Sequence, residues 1–499
     1  MALTRDGYHM DYGLARYGAS CTVFETIIGP FNGNVTLDAN SFRYSSTAAG
    51  TTPVTDDSAP IALKAARYAI ANPYDVTDMK GEGGSGELPE TPEEVSIANA
   101  EEFAAFAARV NSGDAAAAKA NVTLTADIDF SGLSTWTPVG NPTSTGNGNN
   151  ASAAQGPVFS GVFDGAGHTL KNFKYTVDIS EGGTWGLFGY VYKATLKNFT
   201  VESDVTFSAS GTADVAIVAG VANSSTIEDV QVTGKITSTG ASVSGKRFAI
   251  GGIAGFAFST VSGTEGVLDC NIKNCTVTAT VNADGGSNLA NGANGAMYGG
   301  IAGFCTNAKN DSRIRITNCV NNGTLTVKLG RCSGIAATAN YGTIIKGCTN
   351  NASQFNTVAN GRIGQIVCNL SVQSGVIDCQ NNGDLTTTDA KTTTGGLIAL
   401  MGDATSYLEG GDRVANTATI ISGYDPSTDS NNRRFSGLIA GYLNLFDHVS
   451  NVKVGGKLGV YDSGGNHEMF EINSEHFMNY IGWINANSAS KITGLSFVE

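Results

Sequence analysis

Apolar and polar positions alternate singly through the C-terminal two thirds of the chain. In Ile314-Arg315-Ile316-Thr317-Asn318-Cys319-Val320, the set Ile316/Asn318/Val320 opposes Thr317/Cys319. A period of two is that of a strand. The same short strand, apolar at both ends and mostly polar between, recurs as Leu196-Lys197-Asn198-Phe199, Ile227-Glu228-Asp229-Val230, Ile272-Lys273-Asn274-Cys275, Ile345-Lys346-Gly347-Cys348 and Val376-Ile377-Asp378-Cys379. Between these copies lies a second pattern, small and apolar: Gly252-Ile253-Ala254-Gly255, Gly300-Ile301-Ala302-Gly303, Gly334-Ile335-Ala336-Ala337, Gly396-Leu397-Ile398-Ala399 and Gly437-Leu438-Ile439-Ala440. Gly255 to Gly303 is 48 residues and Gly303 to Ala337 is 34. Two patterns alternating at such periods predict a stacked array and not a globule with one centre.

The expected fold is all-β, a parallel β-helix of about ten rungs stacked about 4.8 Å apart, a rod on the order of 50 Å long. Asn321-Asn322-Gly323 and Asn381-Asn382-Gly383 are read as corners, because Asn and Gly tolerate the left-handed conformation. One motif position holds Phe173, Phe199, Val230, Cys275, Cys319, Cys348 and Cys379. A site shared by Phe, Val and Cys points inward, so these cysteines are expected to form a file of small hydrophobes. Metal ligation is the weaker reading, since no His or second Cys stands at ligand spacing from each.

The rest of the chain divides by pattern. Residues 1–79 lack the repeat and are read as an attachment or assembly module, or else as an extension along the rod. Cys21–Ile28 and Asn34–Leu37 read as strands, and Ser58–Tyr68 as a short helix. Residues 80–95, rich in Gly, Ser, Pro and Glu, read as a linker. Within 96–120, Phe103, Phe106, Ala107 and Val110 recur at helical spacing behind an Asn99 cap, with Gly113 as the stop. This helix should close the N-terminal end of the rod, where strand edges would otherwise lie open. Residues 121–499 form the β-helix, with a C-terminal cap around Phe470, Phe477 and Trp483. Asp164-Gly165-Ala166-Gly167 is a tight turn, and it lacks the Lys-Ser/Thr that a phosphate loop requires.

Composition narrows the function classes. Charged residues are 15% and hydrophobic ones 41%, which is a folded chain. A net charge of −14 argues against a nucleic-acid partner, since phosphates need Lys and Arg. Nine cysteines is an odd number, and free buried thiols are expected. No apolar run reaches the 18 residues of a membrane span, and Met1–Met10 has no apolar signal segment. Either an export signal has been trimmed or the protein is not secreted by that route, and a beginning at Met1 favours a native start.

The helix over Ala100–Asn111, then Leu124–Asp129, Trp136-Thr137-Pro138-Val139-Gly140, Phe159–Leu170 and the Gly-Ile/Leu-Ala-Gly copies together resemble bacterial surface proteins with GLUG-type repeats. The resemblance spans about residues 96–499. It implies a β-helix displayed on a surface and used in adhesion. Related stretches accompany a class of immunoglobulin-cleaving metallopeptidases, but their His-Glu-x-x-His is missing here, so that activity does not carry over.

The function expected is therefore non-enzymatic. A rod facing the outside of a virion or a bacterial cell would bind glycans or a partner surface. Binding candidates are Asn147, Asn149 and Asn150, in the polar loop of residues 139–158, with Tyr190 and Tyr192. No cofactor and no metal are expected; His467, Glu468, Glu471, Glu475 and His476 match no strong ligand spacing. The expected partners are an assembly partner through residues 1–79, a surface glycan or host receptor, and a second copy of the chain. The rod could also serve as a bare spacer. The alternative is a polysaccharide lyase or glycoside hydrolase, for which Asp127, Asp129 and Asp164, or Asp311 with Arg313 and Arg315, would supply the chemistry.

Overall fold

The computed structural model describes residues 13–28, 37, 42–45, 51–71, 92–142, 156–179, 182–209, 211–239, 247–262, 266–284, 295–307, 314–328, 330–356, 361–387, 392–423, 436–461, 467–470 and 480–498. The chain divides into two compact units, Met1–Thr91 and Pro92–Glu499.

In the first unit a helix over Leu14–Val23 runs on as a wider turn over Phe24–Ile28, and a second helix spans Ser58–Ala71. Leu14, Tyr17 and Cys21, at i, i+3 and i+7, bury against Ala59, Ala62 and Ala66. Cys21–Ile28 is thus helical and not the strand that its Thr, Val and Ile suggested. The apolar stripe begins upstream of that run, and the hydroxyls bond backward into the helix, Thr22 to the Gly18 carbonyl at 3.2 Å and Thr26 to the Thr22 carbonyl at 2.8 Å. Thr55 and Ser58 cap the second helix reciprocally, the Ser58 amide donating to the Thr55 hydroxyl at 3.1 Å and the Thr55 amide to the Ser58 hydroxyl at 2.8 Å. The expected strand at Asn34–Leu37 lies outside the described residues apart from Leu37.

The second unit is a parallel β-helix. Its first strand, Glu94–Ile97, pairs in parallel with Asn121–Leu124, so the solenoid starts before the helix and Glu94 and Val95 belong to it, not to a linker. Residues 80–91 lie outside the described residues. Each full rung has three faces. The middle rung runs through Gly295–Gly299, turns at Gly300-Ile301, continues as Ala302–Asn307, and returns as Ile314–Thr317, Val320–Asn321 and Leu325–Val327. The next rung lies beneath it in register: Ala302 against Ala336, Ile316 against Ile345, and Leu325 against Gln354. On the face that contains Ala302–Asn307, nine strands among the described residues follow one another, from Phe188–Tyr192 to Ile481–Ile484. At about 4.8 Å per step that column is about 38 Å tall.

Local chemistry explains the bend after each Ile316-type strand. Asn198, Asp229, Asn274, Asn318, Gly347, Asp378 and Asn451 all have φ between 45° and 67°. These are the second polar positions of the short pattern, filled by the residue types that tolerate left-handed backbone. The left-handed corner was expected at Asn-Asn-Gly; it lies instead three residues earlier, at Asn318.

The first asparagine of each Asn-Asn-Gly, and its counterparts Asn350 and Asn416 on other rungs, turn inward. Asn321, Asn350, Asn381 and Asn416 are fully buried and form a ladder: Asn321 donates to Asn350 at 3.2 Å, Asn350 to Asn381 at 2.8 Å and Asn381 to Asn416 at 2.8 Å. Asn322, Asn351, Asn382 and Thr417 form a second, outward ladder with bonds of 2.7 to 2.8 Å. The inner amides stand against the Gly-Ile/Leu corners. A Cβ on Gly300 would lie 2.3 Å from the Asn321 amide nitrogen, and one on Gly334 2.1 Å from the Asn350 oxygen. The Gly-Ile/Leu corners and the inward asparagines are therefore halves of one interior contact.

Cys275, Cys319, Cys348 and Cys379 are buried at successive levels, next to register partners Thr276, Val320, Thr349 and Gln380. Each thiol donates to a carbonyl of the preceding rung: Ile227 at 3.7 Å, Ile272 at 3.6 Å, Ile316 at 3.5 Å and Ile345 at 3.5 Å. The file of small hydrophobes is present. All nine cysteines are free and buried.

The helix Ala100–Asn111 covers the N-terminal end of this interior. Asn99 accepts from the Glu102 amide at 2.9 Å while Glu102 accepts from the Ala98 amide at 2.7 Å, a reciprocal cap. Phe103 packs on Phe130, Trp136, Phe163 and Phe188 with ring centroids 5.2 to 6.5 Å apart. Arg109 holds the helix to the first strand through a two-pronged pair with Glu93 at 2.8 and 2.7 Å. At the other end Trp483 stacks on Tyr442 at 4.5 Å, while residues 471–479, with Phe477 of the expected cap, lie outside the described residues.

Candidate functional site

Three of the carboxylates put forward for catalysis, Asp127, Asp129 and Asp164, gather where the first rungs turn, and each is engaged. Asp127 accepts from Lys171 at 2.7 Å and from the Thr169 amide at 3.0 Å, with His168 at 3.3 Å. Asp129 accepts from the Ser131 amide at 2.9 Å and from Asn172 at 2.8 Å. Asp164 accepts from the Ala166 amide at 2.8 Å and from Asn198 at 3.1 Å, closing the Gly165-Ala166-Gly167 turn. Hydrogen bonding to the ionised form lowers a carboxyl pKa. Lys171, and after it the Thr169 amide, hold Asp127 down at about 2; Asn172 and Ser131 lower Asp129, and turn and side-chain bonds lower Asp164 despite its partial burial. A glycosidase acid needs the opposite shift, toward neutrality. These three groups act as turn caps.

The pH consequence has a definite sign. The Asp127 pKa is lowered on folding from an ordinary 3.8 to about 2, so its stabilising contribution is present above about pH 4 and is lost as pH falls through about 2. Asp127→Asn should therefore lower the melting temperature at pH 5 to 7, and the gap from wild type should close between pH 4 and pH 2. Thermal melts across that range read it directly.

Of the other residues put forward, Asn147, Asn149, Asn150, Asp311 and Arg313 lie outside the described residues. Arg315 is spent on the carbonyls of Ile314 and Gly342 at 3.1 and 3.2 Å. Tyr190 is no surface ligand: it is 1% exposed, and its hydroxyl accepts from Asn223 at 2.9 Å. Burial pushes its pKa up to about 12. Tyr192 is half-buried against the apolar cluster to which Tyr190 belongs. His467 opens a strand, His467–Phe470, that runs antiparallel to Lys457–Tyr461. Among the described residues no cluster of His, Cys, Asp and Glu is arranged to hold a metal. Burial raises the thiol pKa of Cys270 and Cys368 to about 11, so they are protonated and unreactive at neutral pH.

The feature missed from the sequence is the inside corner between two faces. Strands such as Arg247–Gly251 and Ala254–Ser259 meet at Gly252-Ile253, and the side chains on their outer surfaces pack on one another. Tyr190, Val221, Ala249, Phe256, Phe258, Met297, Phe304 and Ala337 form a second apolar cluster there, separate from the interior. Arg247, 1% exposed, pairs with Asp214 through two bonds of 2.7 and 2.5 Å and lies 4.4 Å from the Phe256 ring centre. The available signal was the run Ala254-Gly255-Phe256-Ala257-Phe258, apolar at both parities, which marks a strand covered on two sides.

No family model matches the chain. A stretch of 123 residues is 36% identical to halomucin of Haloquadratum walsbyi, covering 23% of this chain. That stretch spans only 1% of halomucin's length. A solved structure from Bacteroides ovatus, of a protein provisionally named an immunoglobulin A1 protease, aligns with a TM-score of 0.39 at 20% identity, covering 72% of this chain and 84% of that one. The parallel β-helix rests on the strand registers described above. Among the described residues no helix is long and apolar enough to cross a membrane.

Proposed function

We propose that this chain is a non-enzymatic display protein, carried on the outside of a cell or a virus particle, whose β-helix presents its faces to glycans or to a partner surface. The observation that carries this reading is the interior. Ladders of Asn and a file of Cys, repeated in register, bond to one another and to the backbone inside the column, which leaves the outer faces for recognition. The engaged, ionised state of Asp127, Asp129 and Asp164 supports a structural role for the groups best placed for hydrolysis. The likeness to part of halomucin and the resemblance to GLUG-type repeats support a surface setting. Residues 1–79 would supply attachment.

A panel of immobilised surface polysaccharides tests the proposal. Binding without product release is expected, and removal of residues 1–79 should leave that binding intact. Release of reducing or unsaturated ends at a steady rate would overturn it in favour of a depolymerase. Immunogold labelling of intact cells and particles should place the chain on one outer surface or the other.

A further inference from the structure

Toward the C-terminal rungs the inside corner stops being filled and opens into a cavity. Its volume is about 270 Å³, and it is lined by Arg362, Thr393, Leu400, Gly402, Tyr442 and Asn444. Register explains the opening. On one face the outward file runs Met297, Arg331, Arg362, Thr393; on the other it runs Phe304, Thr338, Asn369, Leu400, Tyr442. The aromatic rings that fill the upper corner give way to smaller and polar groups. A Cβ on Gly402 would meet nothing within 4 Å.

A bulge aims one side chain at this space. Leu443 opposes Met401, but Leu445 opposes Gly402, which leaves Asn444 as the extra residue in its strand. Bulges re-aim side chains and recur beside functional sites. Below the cavity Tyr442 is held by its stack on Trp483, with the rings 16° from parallel, so this wall is rigid.

The charge of the lining is one-sided. Among the described residues the lining contains the Arg362 guanidinium and no carboxylate. Arg331 lies next to Arg362 in register, and its burial pulls its pKa down to about 10. The Arg362 guanidinium attracts an anion placed beside it. A guanidinium takes a carboxylate through two parallel bonds, the Thr393 hydroxyl and Asn444 amide suit ring hydroxyls, and Leu400 and Tyr442 suit an apolar sugar face. The volume is at the small end of ligand pockets, which run from about 300 Å³ upward, so it admits one ring.

We propose that this cavity binds a single carboxylate-bearing sugar, a uronic acid unit of an acidic polysaccharide. The proposal rests on the glycan-binding reading above and names the site and the sugar class. The test uses the full chain and saturation-transfer NMR with four probes: glucuronate, glucose, acetate and inorganic sulfate. Glucuronate should bind at least tenfold tighter than glucose or acetate, and its binding should weaken as salt rises. Arg362→Gln should lose at least tenfold for glucuronate while keeping the wild-type melting temperature, and Asn444→Ala about threefold. Equal binding of glucose and glucuronate overturns the proposal, as does an Arg362→Gln chain that binds glucuronate as well as wild type. Acetate or sulfate matching glucuronate would show an anion site only and also overturns it. Failure here with continued binding to the polysaccharide panel removes this site and leaves the display reading standing; failure of both removes both.

Discussion

Asp214→Ala is expected to destabilise the β-helix by about 3–5 kcal/mol, the scale for leaving one member of a buried pair uncompensated. Asp214 is 0% and Arg247 1% exposed, and the two bonds between them lie in the inside corner beneath the rings of Phe256 and Phe304. Removing the carboxylate takes two charge-assisted bonds from a guanidinium that is 1% exposed. The double change Asp214→Leu with Arg247→Met should cost less than the single one, because it takes both charges away. Denaturant unfolding followed by tryptophan fluorescence measures each. A single variant within about 1 kcal/mol of wild type would show that the corner is wet and that the pair does not organise it.

Asn381→Leu should be comparably damaging, at about 3–5 kcal/mol, though leucine is close in size. Asn381 donates to Asn416 at 2.8 Å and to the Gly383 carbonyl at 3.2 Å, and it accepts from Asn350 at 2.8 Å and from the Gly383 amide at 3.1 Å. Leucine would take from the Asn350 amide the shortest of its three bonds and leave the Asn416 oxygen and the Gly383 turn amide without Asn381, each group worth about 1–3 kcal/mol when buried and unmet. Asn382→Ala, one residue along and exposed, should cost under about 1 kcal/mol. A flat response at both positions would mean that the inner ladder holds nothing in place.

The β-helix and its helical cap were legible because each rung writes its own period. Isoleucine above isoleucine and cysteine above cysteine can be read without coordinates, and Phe103, Phe106 and Val110 fall on one helical stripe. Three features escaped, each for a physical reason. Cys21–Ile28 carried strand-like residues, but the burial that decided its conformation came from Leu14 and Tyr17 upstream. Asn321 and Asn381 look like corner residues, since Asn favours turns; whether the amide points in or out depends on the glycine across the rung, Gly300 in the first case. Tyr190 sits at an outward parity, and only the angle between two faces buries it. The cavity beside Arg362 was illegible for the same reason, because its lining comes from three rungs whose spacing is set by loops of unequal length.

The contact between Gly300 and Asn321 bears on how such a chain lengthens over evolutionary time. A duplication that copies the glycine together with its asparagine adds a finished storey. One whose breakpoint falls between them sets a bulky corner over an amide, or leaves an amide with no roof. Growth by whole storeys is then the tolerated route, and neighbouring copies should share their breakpoints even where the intervening loops have drifted beyond recognition.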